Sequence, residues 1–132
     1  MTAPEGFVPY ARTSRYLDLI GPVYQAANDP DVVGLLVDAR LTNSRGFLHA
    51  GALVAVADTI MGHTAERASP DVARLVTVSM TTEFPGPAQL GDWITGRAVT
   101  RRTGRRLAFT SCEFRTDERL VLTASAIFAV SG

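Results

Sequence analysis

An α+β fold, with a largely antiparallel β-sheet wrapped around one long central helix, is what this sequence predicts. Three observations carry that reading. The first is an apolar helical stretch from Ala50 to Met61, in which Leu53, Val54, Val56, Ala57, Ile60 and Met61 cover every side of a helix. The second is the β character of everything after Pro70, beginning with the β-branched run around Val76, Thr77 and Val78. The third is punctuation: Pro85-Gly86-Pro87 breaks the first strand of that half, Thr103-Gly104 makes a hairpin turn and Thr116-Asp117-Glu118 turns the chain again. The 132 residues fit one domain spanning 1–132, with ordinary globular composition.

Taken in order, residues 1–12 read as a loose N-terminal arm. Ser14 can cap a short helix to about Gln25, with Tyr16, Leu17, Leu19 and Ile20 as its apolar side and Gly21-Pro22 weakening its end. Asn28-Asp29-Pro30-Asp31 signals a turn. Val33 to Leu41 reads as a first strand and Thr42 to Leu48 as a polar, Gly-containing loop. The long helix runs from about His49 to about Arg67, with Ser69-Pro70 ending it. Strands follow at Leu75–Phe84, Trp93–Arg102, Leu107–Phe114 and Leu120–Val130. One helix covers only one face of such a sheet. The other face and the strand edges therefore predict self-association, as a homodimer or a dimer of dimers.

Composition excludes several classes. The formal net charge is zero, which argues against a general nucleic-acid partner. The N-terminus has no basic, apolar leader, and no apolar run approaches the roughly 18 residues of a membrane span, so a cytoplasmic location is expected. Cys112 is the single cysteine, which rules out an internal disulfide and a cysteine metal cage, and no metal site is expected. All 13 basic residues are arginine.

Asp58 stands out, because a carboxylate inside an apolar helix is costly unless it is paired, hydrogen-bonded or protonated. Upstream lie Asn43, Gly46, His49 and Gly51, in the order Asn43-x-x-Gly46-x-x-His49-x-Gly51, with Asp58 further along the helix. On the residues alone, a catalytic acid and a structural acid paired with an arginine both remain open. Asn43 alone reads more often as a plain turn residue, because asparagine favours turns on its own account. His63 reads as structural or exposed, and Glu66 as a solvated acid at the helix end.

This constellation and the element order resemble the hotdog-fold acyl-CoA thioesterases, in the branch typified by the phenylacetate-degradation thioesterase. The matching residues are Asn43, Gly46, His49-Ala50-Gly51 and Val56-Ala57-Asp58, and Phe84-Pro85-Gly86-Pro87 with Gly91-Asp92 resembles the family's turn after the strand that follows its helix. The resemblance covers about residues 33–130. Where the family has two glycines after the histidine, this chain has Ala50-Gly51. Alanine supplies a backbone N–H as glycine does, while its methyl narrows the approach of a substrate.

The resemblance implies hydrolysis of an acyl-CoA to free acid and coenzyme A, with no cofactor beyond the coenzyme A of the substrate. The Ala50 N–H, at the positive end of the helix, would be the oxyanion donor, with Gly51 beside it on the substrate. Asn43 would help to hold the thioester or the attacking water, and His49 would position that loop or the region of the thioester sulfur. Asp58 would be general base or nucleophile, and Thr77 would orient the water. At about 1.5 Å per residue, Asp58 is roughly 12–13 Å from the start of its own helix. The resemblance implies sites built across a dimer interface, which removes that difficulty. Arg101, Arg102, Arg105 and Arg106 flank a hairpin turn and read either as a solvated edge or as the site for coenzyme A phosphates. Trp93, Phe109 and Phe114 read as core or interface. The rival functions are a hotdog acyl-CoA dehydratase or hydratase and a non-catalytic acyl-CoA-binding domain.

Overall fold

A computed structural model describes residues 3–69 and 74–131. Pro70, expected to help end the long helix, and the first two residues of the expected arm lie outside the described residues. Seven strands form one antiparallel sheet: β1 (Phe7–Pro9), β2 (Val23–Ala26), β3 (Asp29–Leu36), β4 (Arg74–Glu83), β5 (Trp93–Thr103), β6 (Leu107–Thr116) and β7 (Arg119–Ser131). Their spatial order is β1-β2-β3-β5-β6-β7-β4. A short helix α1 (Arg15–Ile20) precedes β2, and the long helix α2 (Ala50–Ala68) separates β3 from β4.

Helix α2 lies across one face of the sheet and packs on β3 through β7. Its buried stripe is Leu53, Val56, Ala57, Ile60, Met61, Thr64 and Ala65. Facing it are Ile94 and Ala98 of β5, Ala108, Cys112 and Phe114 of β6, and Leu122, Ala124, Ala126 and Phe128 of β7, all buried. The Phe114 ring lies over Gly96, where an added Cβ would come within 2.5 Å of it. On the opposite face the Trp93 indole lies over Gly34 in the same way and meets the edge of Phe7 at 5.3 Å. Burial pushes the Cys112 thiol up to about 12, with the charge of Glu113 adding to it, so this cysteine is an inert core residue.

The N-terminal third departs from expectation. The stretch read as a loose arm carries β1, which pairs with β2 and is followed by a buried Tyr10. Ser14 does cap α1, accepting from the Leu17 N–H, but the helix stops at Ile20 and the chain becomes β2 at Val23. The turn sits at Ala27-Asn28, and Asp29 to Asp31 already belong to β3. That strand ends at Leu36, and a single 3-10 turn spans Ala39–Leu41, where strand was expected. Two regular β-runs too short for a clear alternation account for most of this difference.

Three register shifts interrupt the pairing of β4 through β7. In β4, Thr77 pairs with Phe128 and Ser79 with Ile127, so Val78 is an extra residue. In β5, Thr100 pairs with Thr110 and Arg102 with Phe109, so Arg101 is extra. A third lies between Phe114 and Arg115 in β6.

Candidate active site

The loop from Thr42 to Leu48 folds back on itself and closes with a bridge between those two residues. Asn43 organises it. Its side-chain oxygen accepts from the backbone N–H groups of Arg45 at 2.9 Å and Phe47 at 3.2 Å, and Gly46 takes the positive φ of +84° that the tight return needs. The loop is tied to the Phe84–Asp92 segment by the Leu48 N–H, which donates to the Ala88 carbonyl at 2.8 Å. The turn role of Asn43 is therefore real, and it leaves the Asn43 amide NH2 available as a donor.

His49 caps α2. Its Nδ1 accepts from the Gly51 N–H at 2.9 Å, and its carbonyl accepts from Ala52. A Cβ on residue 51 would lie 2.9 Å from the His49 ring, so this cap requires the glycine that the sequence retains. With Gly51 and Ala52 satisfied, Ala50 is the first helical residue whose N–H has no partner among the described residues. Asn43 and Ala50 line one cavity of about 390 Å³, together with Arg45 and an apolar wall that includes Phe47, Leu53, Phe84 and Val121. The sequence did not mark these last five residues as part of the site. Their signal was position: Arg45 and Phe47 flank Gly46 inside the motif, and Phe84 opens the Pro-Gly-Pro turn.

Asp58 lies elsewhere on the helix. Eight residues beyond Ala50, it is about 12 Å along the axis, and it does not line that cavity. It is also not the buried acid expected from the sequence. The sheet covers only the stripe facing it, so Val54, Ala55, Asp58 and Thr59 on the other side remain half-buried. Asp58 Oδ1 accepts from the Thr77 hydroxyl at 2.7 Å. The extra residue Val78 is what allows this contact. It keeps Leu75 and Thr77 on the helix side and then reverses the parity, so that Met80 and Thr82 also face inward opposite Ala126 and Ala124.

The pair sits at an open border. β4 is the last strand of the sheet, and Val76 and Val78 on it are 56% and 61% exposed. The hairpin arginines are exposed at the end of β5 and in its turn, and none of the four lines the Asn43–Ala50 cavity. His63, taken as structural or exposed, is structural: Tyr10 and His63 share a 2.6 Å hydrogen bond at Nδ1 and their rings stack. Burial, reinforced by Arg12, pushes His63 down to about 4, and burial raises Tyr10. Glu66 is ion-paired with Arg12 at 3.2 Å.

Known proteins resemble this chain in sequence and in fold. A model of the thioesterase superfamily matches residues 45–123, from the motif loop into β7. A Pseudomonas aeruginosa protein that bears an esterase name is 37% identical over 130 residues, covering 97% of each chain. Among solved structures, AziG of S. sahachiroi superposes with a TM-score of 0.81 at 28% identity, over 90% of this chain and 98% of that one. A phenylacetic acid degradation-related protein of Ralstonia eutropha JMP134 superposes with a TM-score of 0.78 at 26% identity, over 91% and 92%.

Proposed function

Because the chain belongs to the thioesterase superfamily and has its hotdog fold, we propose that it hydrolyses an acyl-CoA thioester to the free acid and coenzyme A. The observation that carries the reading is a division of labour: a cavity holding the unpartnered Ala50 N–H and Asn43, and, about 12 Å away, an acid oriented by a hydroxyl at an open sheet edge.

In this reading the thioester carbonyl accepts from the Ala50 N–H, which is aimed where negative charge develops during attack. Gly51 lets the substrate pass close to the helix start, and His49 fixes the geometry of that start. The Asn43 NH2 donates to the thioester or to the water. Asp58 comes from a second subunit. Acting as general base, it takes a proton from water while the water oxygen attacks the carbonyl carbon; the tetrahedral intermediate then expels the thiolate, which is protonated to coenzyme A. Acting as nucleophile, its carboxylate attacks the carbonyl carbon and expels the thiolate, which is protonated to coenzyme A, and water then opens the resulting mixed anhydride to the free acid and the restored carboxyl group. Thr77 holds Oδ1 in either case and leaves Oδ2 for the chemistry. No cofactor is needed beyond the coenzyme A of the substrate.

Self-association as a homodimer or a dimer of dimers completes the site. The open edge of β4 supports it, because strands from two copies paired along that edge would bring the second subunit to Thr77 and Asp58. Arg101, Arg102, Arg105 and Arg106 supply guanidinium groups for the phosphates of coenzyme A.

Thiol release from a panel of aromatic, short-chain and medium-chain acyl-CoAs tests the reading. Release above the background of an Asp58→Asn preparation supports it. A folded protein that releases thiol from no member of the panel refutes it.

A further inference from the structure

Among the described residues, Arg45 is the single titratable side chain lining the cavity that holds Asn43 and the Ala50 N–H. Its backbone is fixed on both sides. The Asn43 side-chain oxygen accepts from its N–H at 2.9 Å, and Gly46 turns the chain immediately after it. Its guanidinium has no carboxylate partner among the described residues, whereas Arg12, Arg40, Arg67, Arg97, Arg115 and Arg119 each have one. The loop therefore presents a free cation to a cavity walled mainly by apolar groups, Phe47, Leu53, Phe84 and Val121 among them.

We infer that Arg45 selects acyl groups that end in a carboxylate, so that the substrate is the mono-thioester of a short dicarboxylic acid. This substrate class rests on the hydrolytic reading, because it takes the thioester carbonyl to lie at the Ala50 N–H of the same cavity. A plain alkyl or aryl chain displaces water from the guanidinium and returns no hydrogen bond to it. A carboxylate instead meets the planar fork of arginine with two parallel hydrogen bonds, and the apolar walls strengthen that attraction by keeping water away. The methylenes between the two ends of the acyl group lie against those walls. No acidic side chain lines the cavity to compete for Arg45. The volume of about 390 Å³ is near the lower end for small-molecule sites, which favours a chain of few carbons. The phosphates of coenzyme A are the other anions of such a substrate. The pantetheine arm carries them farther from the thioester than this cavity extends, so the anion that meets Arg45 is on the acyl side.

Thioesters of pantetheine, which carry no phosphate, test it. Glutaryl- and adipyl-pantetheine are set against pentanoyl- and hexanoyl-pantetheine, which place a methyl group where the carboxylate stands, and rates are corrected for spontaneous thiol loss. The wild-type protein should cleave at least one carboxylate ester with a higher kcat/KM than its methyl counterpart, and Arg45→Ala should lower that ratio by at least about tenfold. Arg15→Ala, which removes an equal charge from exposed α1, should leave the ratio unchanged. Circular dichroism confirms that the variants are folded. A wild type that prefers both methyl esters, a ratio unchanged in Arg45→Ala, or an equal loss in Arg15→Ala overturns the inference and leaves hydrolysis standing. So does a loss in Arg45→Ala that appears with coenzyme A esters and not with pantetheine esters, which would assign the arginine to phosphate. A wild type that cleaves no thioester refutes the hydrolytic reading. Calorimetry with the matching ketones, in which CH2 replaces the sulfur, then decides Arg45 separately. Tighter binding of the carboxylate ketone than of the methyl ketone, lost in Arg45→Ala, upholds the inference; equal binding, or none, overturns it.

Discussion

Replacing Asp58 with asparagine should abolish turnover and leave the fold intact. The swap is nearly isosteric, and the new side-chain oxygen can still accept from the Thr77 hydroxyl, 2.7 Å from Oδ1 in the wild type. What is lost structurally is the charge assistance of one hydrogen bond, about 1 kcal/mol before discounting for its half-exposed position. For a chain of this size that lowers Tm by no more than about 5 °C. What is lost chemically is larger, because an amide is neither base nor nucleophile, and removing a general base costs about 10²–10⁴ in rate. The assay is thiol release, paired with an Asn43→Ala variant that must also be folded and inactive alone. If each site combines Asp58 of one subunit with Asn43 of the other, a mixed dimer holds one site with both residues and one with neither. Co-refolding equal amounts makes half the dimers mixed, so about a quarter of wild-type activity should return. Verified mixed dimers without recovery would show that the two residues do not act together across an interface, and the proposed mechanism would fall.

Three further outcomes are expected. Gly96→Ala places a Cβ 2.5 Å from the buried Phe114 ring and should destabilise by about 1–3 kcal/mol, seen as a lower urea midpoint; an unchanged midpoint would mean that the ring moves freely. His63, pushed down to about 4 by burial with Arg12 and Arg67 adding and Glu66 opposing, binds fewer protons when folded than the unfolded ring with its pKa near 6.5. Stability therefore falls as pH drops from about 6.5 to about 4 and levels off below; His63→Asn, which can keep an acceptor for Tyr10, should show a shallower fall in Tm over that window, and an equal fall would exclude His63 as the cause. Val78→Arg puts a charge on the exposed edge of β4 and should shift the protein from dimer to monomer in light scattering at micromolar concentration; a wild-type monomer would refute the shared site itself.

The long helix and the four strands after it were legible to within a residue or two at most ends. Alternation over ten or more residues, bounded by Pro-Gly-Pro and Thr-Gly turns, leaves little freedom. The N-terminal third was not. β1 and β2 have three and four residues, too few for alternation to register, and the apolar run of α1 continues into Val23 and Tyr24 across Gly21-Pro22. Pro30 read as a turn because proline breaks a central strand, yet it sits before the Val32–Leu36 stretch that pairs with β5 and interrupts no bond there. At the site, the spacing from Asn43 to Asp58 was visible, as was the short reach of a single helix. The Thr77 contact rested on register, which spacing alone does not supply. Val78 looks like any other valine in a β-branched run.

Because β4 carries one more residue than the stretch of β7 it pairs with, the position of the chemistry is recorded in a count rather than in an identity. Loss of the single codon for Val78 would barely alter composition, yet it would turn one half of the strand over. Either Leu75 and Thr77 would swing away from Asp58, or Met80 and Thr82 would leave the core. No point substitution has that reach. For a lineage built on this sheet, one-residue insertions and deletions are the mutations that move a function from one surface to the other, and an alignment that closes such a gap for neatness erases the difference between the two.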